Sequence, residues 1–351
     1  MVINMNARSS DIDRPARHAR PRRDKGPAPH DTPAGECLTI GLLNNMAGAA
    51  FKNTERQFLT LLDSASAEVP VHVSFYTLPG LSLTEAGGQQ FARHYAPVDA
   101  LLNTQLDGLI VTGREPKCAS LRDEPYWQSF TRVLEWARNH TYSSVWSCLA
   151  AHAAILHMDG IDRRRSSEKN FGVFECEQSS DHPLAQGVAP RFHVPHSRWN
   201  GVAQEDLLAR GYSILSSIAN GGVDTFIKQE SSLFVFFQGH FEYESDTLMR
   251  EYRRDLARFL KGETSTYPLS PADYFDLDTE RALTALRNES SASRNSQLLH
   301  KVAAVVENAP IKNTWQHSAT IIYRNWLNEI RTRKNARQPE AHPIESLAVS
   351  R

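Results

Sequence analysis

The stretch SSVWSCLAAHAAILHMDG, residues 143–160, decides how this chain is interpreted. A short apolar run ends at Cys148, and an Ala-rich segment of helical character follows at once. If the run is a parallel strand, the sulfur lies at a helix N-terminus, where the helix dipole favours a negative charge. Free cysteines are also common as small buried residues. Taken alone, this stretch leaves a nucleophile and a structural thiol both open.

The segments before Cys148 alternate between apolar runs and amphipathic segments. Continuous apolar runs are typical of strands buried on both faces, and the amphipathic segments have helical spacing. The predicted strands are 38–43, 71–78, 106–113 and 143–147, and the predicted helices are 53–65, starting with a capping box at Thr54 and Gln57, and 123–140, capped by Asp123. This alternation predicts an α/β fold with a parallel sheet covered by helices on both faces.

The predicted secondary structure changes after Gly160, where short β-like runs are separated by turns. These runs are FGVFECE, RFHVPHSRW, YSILSSI, DTFIKQ and SLFVFFQGH. A helix over 245–263 and a last amphipathic helix over 313–333 follow. The second half is therefore predicted to be rich in strands.

Composition limits the class of protein. The 39 Lys and Arg nearly balance the 40 Asp and Glu, so no global charge points to nucleic acid. No apolar run reaches the roughly 18 residues of a membrane span. The four cysteines are widely spaced without a CxxC pair, so neither a zinc site nor a disulfide framework is indicated. With no secretory signal core, a cytoplasmic protein is predicted.

Both ends of the chain are predicted to be disordered. Residues 1–36 are rich in Arg and Pro and almost free of large apolar residues, so they cannot bury enough surface to offset their ordering entropy. Residues 334–351 are interpreted in the same way. One ordered domain over 37–333 is predicted between a basic extension and a short tail.

A second candidate for chemistry is the run LFVFFQGHFEYE, residues 233–244. An apolar strand ends at Gly239 and presents His240, and in an extended backbone Glu242 points to the same side. Such a pair is often only a surface ion pair. Combined with Cys148, it supplies the base and the orienting carboxylate that a thiol nucleophile needs.

The order strand–cysteine–helix and then strand–His-x-Glu resembles the class I glutamine amidotransferase-like fold, a flavodoxin-like α/β sandwich. Within that superfamily the chain is similar to the homoserine O-succinyltransferase family. The similarity extends over about residues 38–330. The matching segments are LLNNM, TERQFLTLL, DGLIVTG, EWA, EKNFGVF, PHSRW, GHFEYE, EYRRD and WQHSATIIYRNWLN.

This resemblance implies a catalytic mechanism. Cys148 would take an acyl group from acyl-CoA, His240 would move the protons, and Glu242 would orient His240. The N–H of Leu149 and the loop after Gly113 would face the oxyanion. No metal and no cofactor is expected beyond acyl-CoA as co-substrate. The family also implies a homodimer and a place in methionine biosynthesis.

The acceptor implied by the resemblance is L-homoserine or a related hydroxy-amino acid such as serine. Its carboxylate calls for an Arg, because the planar guanidinium matches a carboxylate in a bidentate pair. Arg198 and Arg254 match the family's amino-acid-binding arginines, and Ser197 and Lys169 match the same pocket. For each charged residue, an ordinary ion pair is the alternative.

The sequence departs from the family pattern around the predicted site. The loop after the first strand is rich in Ala and Gly, and the family's acyl-selecting position is occupied by Lys117. An ammonium there would attract a succinyl carboxylate and would offer acetyl no partner, so succinyl-CoA is favoured over acetyl-CoA. Glu115 could instead neutralise Lys117.

Two other classes of function stay open at this point. One is a glutamine amidotransferase-like hydrolase, although the Gly-x-Cys-x-Gly elbow of those enzymes is absent. The other is a catalytically silent binding or regulatory protein, which an intact set of Cys148, His240 and Glu242 disfavours.

Overall fold

Ten strands form one sheet in the computed structural model, which describes residues 37–66, 69–80, 94–219, 222–290 and 297–337. The strands are β1 Leu38–Leu43, β2 Val71–Thr77, β3 Tyr95–Pro97, β4 Gly108–Thr112, β5 Ser143–Ser147, β6 Arg164–Gln178, β7 Arg191–Gly201, β8 Ser213–Ile218, β9 Val223–Gln229 and β10 Leu233–Phe237. All the runs predicted as strands are strands.

The sheet has a parallel half and an antiparallel half, in the order β3-β2-β1-β4-β5-β10-β9-β8-β6-β7. The pairs from β3 to β10 are parallel, and the pairs from β10 to β7 are antiparallel. The predicted α/β class and the strand-rich second half are both confirmed.

Nine α-helices cover the sheet within the described residues. They are α1 Ala49–Ala65, α2 Val98–Leu102, α3 Trp127–His140, α4 Leu149–Asp159, α5 Gln204–Leu208, α6 Thr247–Leu260, α7 Leu277–Ser290, α8 Gln297–Glu307 and α9 Gln316–Arg337. Helices α1 and α9 bury their apolar faces on one side of the sheet, and α3 and α4 bury theirs on the other. This arrangement places a core on each face, as the apolar strands require.

The middle of the parallel half positions the site. Strands β4, β5 and β10 are neighbours, and their last residues, Thr112, Ser147 and Phe237, are paired in register. Because parallel strands all end at the same edge of a sheet, the residues that follow them lie level with one another. Those residues begin the loops that carry Gly113, Cys148 and His240.

Helix α6 closes over this edge. It follows the loop after β10 and packs, with α7 and α8, onto Phe171 and Val173 of β6. Trp315 completes this third apolar cluster, and its indole Nε1 donates to the Tyr243 carbonyl at 2.8 Å. The polar face of α6 is thereby held beside β6 and β7.

Three predicted boundaries are wrong. Helix α1 begins at Ala49, directly after Gly48, whose φ of 56° is a left-handed value that favours glycine. Thr54 and Gln57 therefore lie inside the helix and form no capping box. Helix α3 begins at Trp127, after a separate 3₁₀ turn that contains Asp123. Helix α9 continues to Arg337.

The extra turn of α9 has a visible cause, since Lys334 Nζ contacts Asp107 Oδ2 at 2.8 Å. The predicted basic extension, 1–36, and the tail residues 338–351 lie outside the described residues. Among the helices that the structure describes, none is long and apolar enough to cross a membrane.

Candidate active site

Cys148 lies in a strained turn between β5 and α4. Its φ is 52°, a left-handed value that non-glycine residues adopt rarely and mostly where surrounding contacts enforce it. Its N–H donates to the Phe237 carbonyl of β10 at 2.7 Å, and its own carbonyl accepts from Ala151 and His152. The thiol stays partly exposed. The strand–cysteine–helix turn predicted from the sequence is confirmed.

His240 joins Cys148 to Glu242. Its Nδ1 lies 2.8 Å from Glu242 Oε1, and the same imidazole is hydrogen-bonded to the Cys148 thiol. Its backbone N–H donates to the Pro195 carbonyl at 2.8 Å, and its ring stacks on Tyr243 with centroids 4.2 Å apart. The structure thus brings together the three residues that the sequence analysis placed in one site.

The charge state of His240 follows from its neighbours. Burial by itself lowers the pKa of an imidazole, but the negative charges of Glu242 and Cys148 and hydrogen bonds to both raise the pKa of His240 well above its usual value. The arrangement therefore favours a protonated imidazole beside the sulfur.

Gly113 lies against the start of α4. A Cβ at this position would lie 2.9 Å from the Leu149 nitrogen and 2.8 Å from the Ala150 nitrogen, distances that real Cβ atoms do not show. Only a glycine lets the loop after β4 approach these N–H groups so closely. The two parts of the predicted oxyanion site, Gly113 and Leu149, are therefore adjacent.

Three predicted acceptor residues meet an acidic pair on α6. Ser197 Oγ donates to Glu251 Oε2 at 2.6 Å, and Lys169 Nζ donates to Asp255 Oδ2 at 3.3 Å. Arg254 contacts both carboxylates, at 3.6 Å for Glu251 and 2.8 Å for Asp255. Although burial would raise the pKa of Asp255, Arg254 and Lys169 hold it below its usual value. Both cations are thus already paired.

Glu251 is a site residue that the sequence analysis missed. Besides Ser197, its carboxylate accepts from the Tyr243 hydroxyl at 2.5 Å, and Tyr243 is the residue stacked on His240. The segment EYRRD contains Glu251, but only its arginine was singled out. A carboxylate linked to His240 through one tyrosine is visible only once α6 is placed.

Arg198 is buried and approaches the site from β7. Its Nη1 donates to the Asn200 carbonyl at 2.8 Å and its Nε to His196 Nδ1 at 3.1 Å. Burial lowers the pKa of Arg198, and the charges of Asp224 and Cys148 act in the opposite direction. Arg198 is therefore within electrostatic range of the Cys148 sulfur.

The loop after Gly113 presents its charges differently from the expectation. The N–H groups of Lys117 and Cys118 donate to one buried carboxylate oxygen of Glu124, at 2.5 and 2.7 Å, while the Lys117 side chain is exposed. Glu115 lies 3.5 Å from Arg258 instead of pairing with Lys117. The proposed neutralisation of Lys117 by Glu115 is not what the structure shows.

Two further cations of this region, Arg114 and Arg163, were not recognised in the sequence. Arg114 is buried directly after Gly113, with its guanidinium carbon 4.5 Å above the Tyr126 ring. Arg163 is half-buried, which lowers its pKa, and interacts electrostatically with Tyr126 and Cys148. The position of Arg114 immediately after a predicted strand was the available signal.

The fold and the site define a class: an α/β protein with a cysteine at a strand–helix elbow, hydrogen-bonded to a histidine–glutamate pair, as in thiol-dependent enzymes. Within this class the chain belongs to the homoserine O-succinyltransferase family, whose model matches residues 28–336. The resemblance inferred from the sequence motifs is confirmed, and the family is one of transferases.

Two relatives that are named homoserine O-succinyltransferases support the assignment. The homoserine O-succinyltransferase of Rhodopseudomonas palustris is 44% identical over 300 residues, which are 86% of this chain and 90% of the relative. That of Bradyrhizobium japonicum is 40% identical over 291 residues, 83% of this chain and 89% of the relative. A solved glutamine amido transferase from Methylobacillus flagellatus covers 84% of this chain and 95% of its own, with 13% identity and a TM-score of 0.45.

Proposed function

We propose that this protein transfers the succinyl group of succinyl-CoA to the side-chain hydroxyl of L-homoserine through an acyl-cysteine intermediate. The observation that carries the proposal is the hydrogen-bonded set Cys148–His240–Glu242 at the β5–α4 elbow. The relatives named above are homoserine O-succinyltransferases, which supports the choice of reaction and its place in methionine biosynthesis.

In the first half-reaction, the Cys148 thiolate attacks the thioester carbonyl of the donor. The oxyanion of the tetrahedral intermediate faces the N–H groups of Leu149 and Ala150 beside Gly113, where such donors stabilise developing charge. The carbon–sulfur bond to CoA breaks, and His240 gives its proton to the departing CoA thiolate. The products are free CoA and succinyl-Cys148.

In the second half-reaction, the acceptor hydroxyl attacks succinyl-Cys148. His240, now neutral, takes the hydroxyl proton as the new carbon–oxygen bond forms. The bond to Cys148 then breaks and leaves thiolate and imidazolium, which is the charge state that the raised pKa of His240 favours. Glu242 stabilises the imidazolium in both halves.

Charge supports the choice of substrates. The acceptor carboxylate suits Arg198, because Arg254 and Lys169 are already paired with Glu251 and Asp255. The donor carboxylate of a succinyl group suits a loop that carries Arg114 and Lys117 beside Gly113. Acetyl-CoA offers these cations no partner, and serine as acceptor is the closest alternative in chemistry.

The test is to mix the purified protein with succinyl-CoA or acetyl-CoA, without acceptor, and to measure the mass of the protein. We expect one succinyl group on Cys148, its loss on addition of L-homoserine, and no acylation of Cys148→Ala. Cys118→Ala, which removes another partly exposed thiol, is the matched control and should be acylated normally.

An unmodified Cys148, or ammonia release from glutamine, would contradict the proposal and favour the hydrolase alternative.

The same preparations address the assembly state that the family resemblance implies. A homodimer is expected in size-exclusion chromatography coupled to light scattering.

A further inference from the structure

A second histidine–carboxylate pair lies beneath the site. His196 of β7 and Asp224 of β9 have no solvent-exposed surface, and His196 Nε2 lies 3.2 Å from Asp224 Oδ1. The other carboxylate oxygen of Asp224 accepts from Ser216 Oγ and Thr225 Oγ1, both at 2.8 Å. A fully buried carboxylate with two hydroxyl donors is held in one orientation.

The proton on His196 can be located from its partner. Arg198 Nε is only a donor, so His196 Nδ1 must offer its lone pair to the hydrogen bond of 3.1 Å between them. Burial lowers the pKa of His196 to about 4, so the ring is neutral at pH 7 and carries one proton. That proton is on Nε2, the nitrogen that faces Asp224.

The same tautomer argues against a metal site. Cys176 Sγ lies close enough to His196 and Asp224 for the three to hold an ion, all within 4.8 Å of one another. A metal would need the lone pair of Nε2, and in this tautomer that nitrogen bears the proton. The group is better described as a buried polar chain, in which the Asp224 carboxylate lies beside His196 Nε2 and His196 Nδ1 accepts a hydrogen bond from Arg198.

We propose that His196 and Asp224 are positioning residues for Arg198 and so determine acceptor binding. This rests on the proposed function, in which Arg198 binds the acceptor carboxylate. His196 and Arg198 alternate with Ser197 along β7, so both point to the same face while Ser197 points to Glu251. His196 and the Asn200 carbonyl hold Nε and Nη1, and Nη2 makes no hydrogen bond to any described residue.

The arrangement also compensates a buried charge. A guanidinium taken out of water is costly unless an opposite charge is near. Asp224 supplies that charge, and the neutral imidazole keeps the carboxylate from pairing directly with Arg198. The outer edge of the guanidinium is thereby left for a substrate carboxylate.

The test separates the two half-reactions in His196→Gln and Asp224→Asn. We expect Cys148 acylation by succinyl-CoA, followed by rapid-quench mass spectrometry, to stay close to the wild-type rate. The kcat/KM for L-homoserine should fall roughly tenfold or more, through KM, because a hydrogen bond to a charged group is lost. Arg198→Lys should likewise leave the acylation rate unchanged and raise the KM for L-homoserine. The double variant with His196→Gln should have a KM close to that of Arg198→Lys alone.

His193→Gln is the matched control, since it changes another histidine of β7 and should leave both half-reactions unaltered. The positioning role would be overturned if the His196 and Asp224 variants lost as much of the acylation rate as of the kcat/KM for L-homoserine. A stoichiometric metal in the purified protein, lost in Cys176→Ala, would also overturn it.

Calorimetric binding of L-homoserine keeps this proposal distinct from the proposed function. If wild-type Cys148 is never acylated, but homoserine affinity still depends on His196 and Asp224, the acyltransfer fails and the positioning role stands. If acylation proceeds and homoserine affinity is the same in every variant, the positioning role fails and the acyltransfer stands.

Discussion

The molecule contains two histidine–carboxylate pairs of opposite character. His240 lies 2.8 Å from Glu242 at the partly open edge of the sheet, and its pKa is raised. His196 lies 3.2 Å from Asp224 in the closed interior, and its pKa is lowered to about 4. The same two side-chain types thus favour a charged imidazole in one place and a neutral imidazole in the other.

The difference comes from the second nitrogen of each ring. Burial is the largest influence on both histidines and lowers both pKa values. His240 is hydrogen-bonded to the thiol of Cys148, which adds a second negative charge when ionised. His196 accepts from the guanidinium of Arg198, which adds a positive charge. A carboxylate neighbour alone therefore does not decide whether a buried histidine is charged.

The largest effect is expected for Glu242→Gln, which should make the imidazole of the outer pair neutral, as that of the inner pair is. Without the carboxylate, the pKa of His240 falls, so less of the thiolate–imidazolium pair is present at pH 7. We expect kcat to drop by about 10³-fold to 10⁴-fold, together with slower alkylation of Cys148 by iodoacetamide. Asp224→Asn, the matched change in the inner pair, should leave alkylation nearly unchanged. Equal slowing in both variants would contradict the distinction.

A smaller but broader effect is expected for Gly239→Ala, because Gly239 separates the two pairs. A Cβ there would lie 2.4 Å from Val194 Cγ1, 2.9 Å from Asp224 Oδ1 and 3.0 Å from His196 Cε1. We expect both half-reactions to weaken and the free energy of unfolding to fall by about 1–3 kcal/mol, from denaturant titration. Gly211→Ala is the control, because a Cβ there would meet no atom within 4 Å, so it tests backbone strain at a φ of 77° without side-chain crowding. A normal Gly239→Ala enzyme would show that the packing between the pairs is loose.

The pairs should also affect stability with opposite dependence on pH. His196 binds a proton in the unfolded chain below about pH 6.5 but in the folded protein only near pH 4, so stability is lost as pH falls through this window. The loss is on the order of 3 kcal/mol. His240, with a raised pKa, contributes stability that is present below about pH 6.5 and lost as pH rises through its folded pKa.

Denaturant titrations from pH 4 to 9 test this contrast. His196→Gln should reduce the loss of unfolding free energy at acid pH, and Glu242→Gln should reduce its loss at alkaline pH. His152, buried against Gln238 with a pKa also lowered to about 4, adds to the acid side, so His152→Gln is the natural comparison. Flattening of the same side by both substitutions would refute the opposite signs.

The smallest effect is expected for Lys117→Ala. The side chain is exposed, and an exposed charge contributes roughly 1 kcal/mol or less to binding a partner. We expect the KM for succinyl-CoA to rise only a few-fold, with acetyl-CoA unaffected. Lys261→Ala removes an exposed lysine at the end of α6 and serves as the control. A large rise in the KM for succinyl-CoA would contradict this expectation and identify Lys117 as a main determinant of donor choice.

Much of the site could be predicted because its residues follow apolar strands directly. Cys148, His240 and Gly113 each come at or near the end of a parallel strand, and such strand ends meet at one edge of a sheet. Glu251 was missed because it lies on a charged helix, where sequence alone gives no reason to prefer one acidic residue over another. Its role depends on where α6 packs.

The sequence by itself determined the α/β class, the strands, and the grouping of Cys148, His240 and Glu242 in one site, because these depend on local pattern and on the order of elements along the chain. Only the tertiary structure decided which charges are already paired and which histidine is neutral. His196 and Asp224 are partners that lie on different strands, β7 and β9, and meet only in the folded chain. Their protonation is set by burial and by these partners, and neither is a property of local sequence.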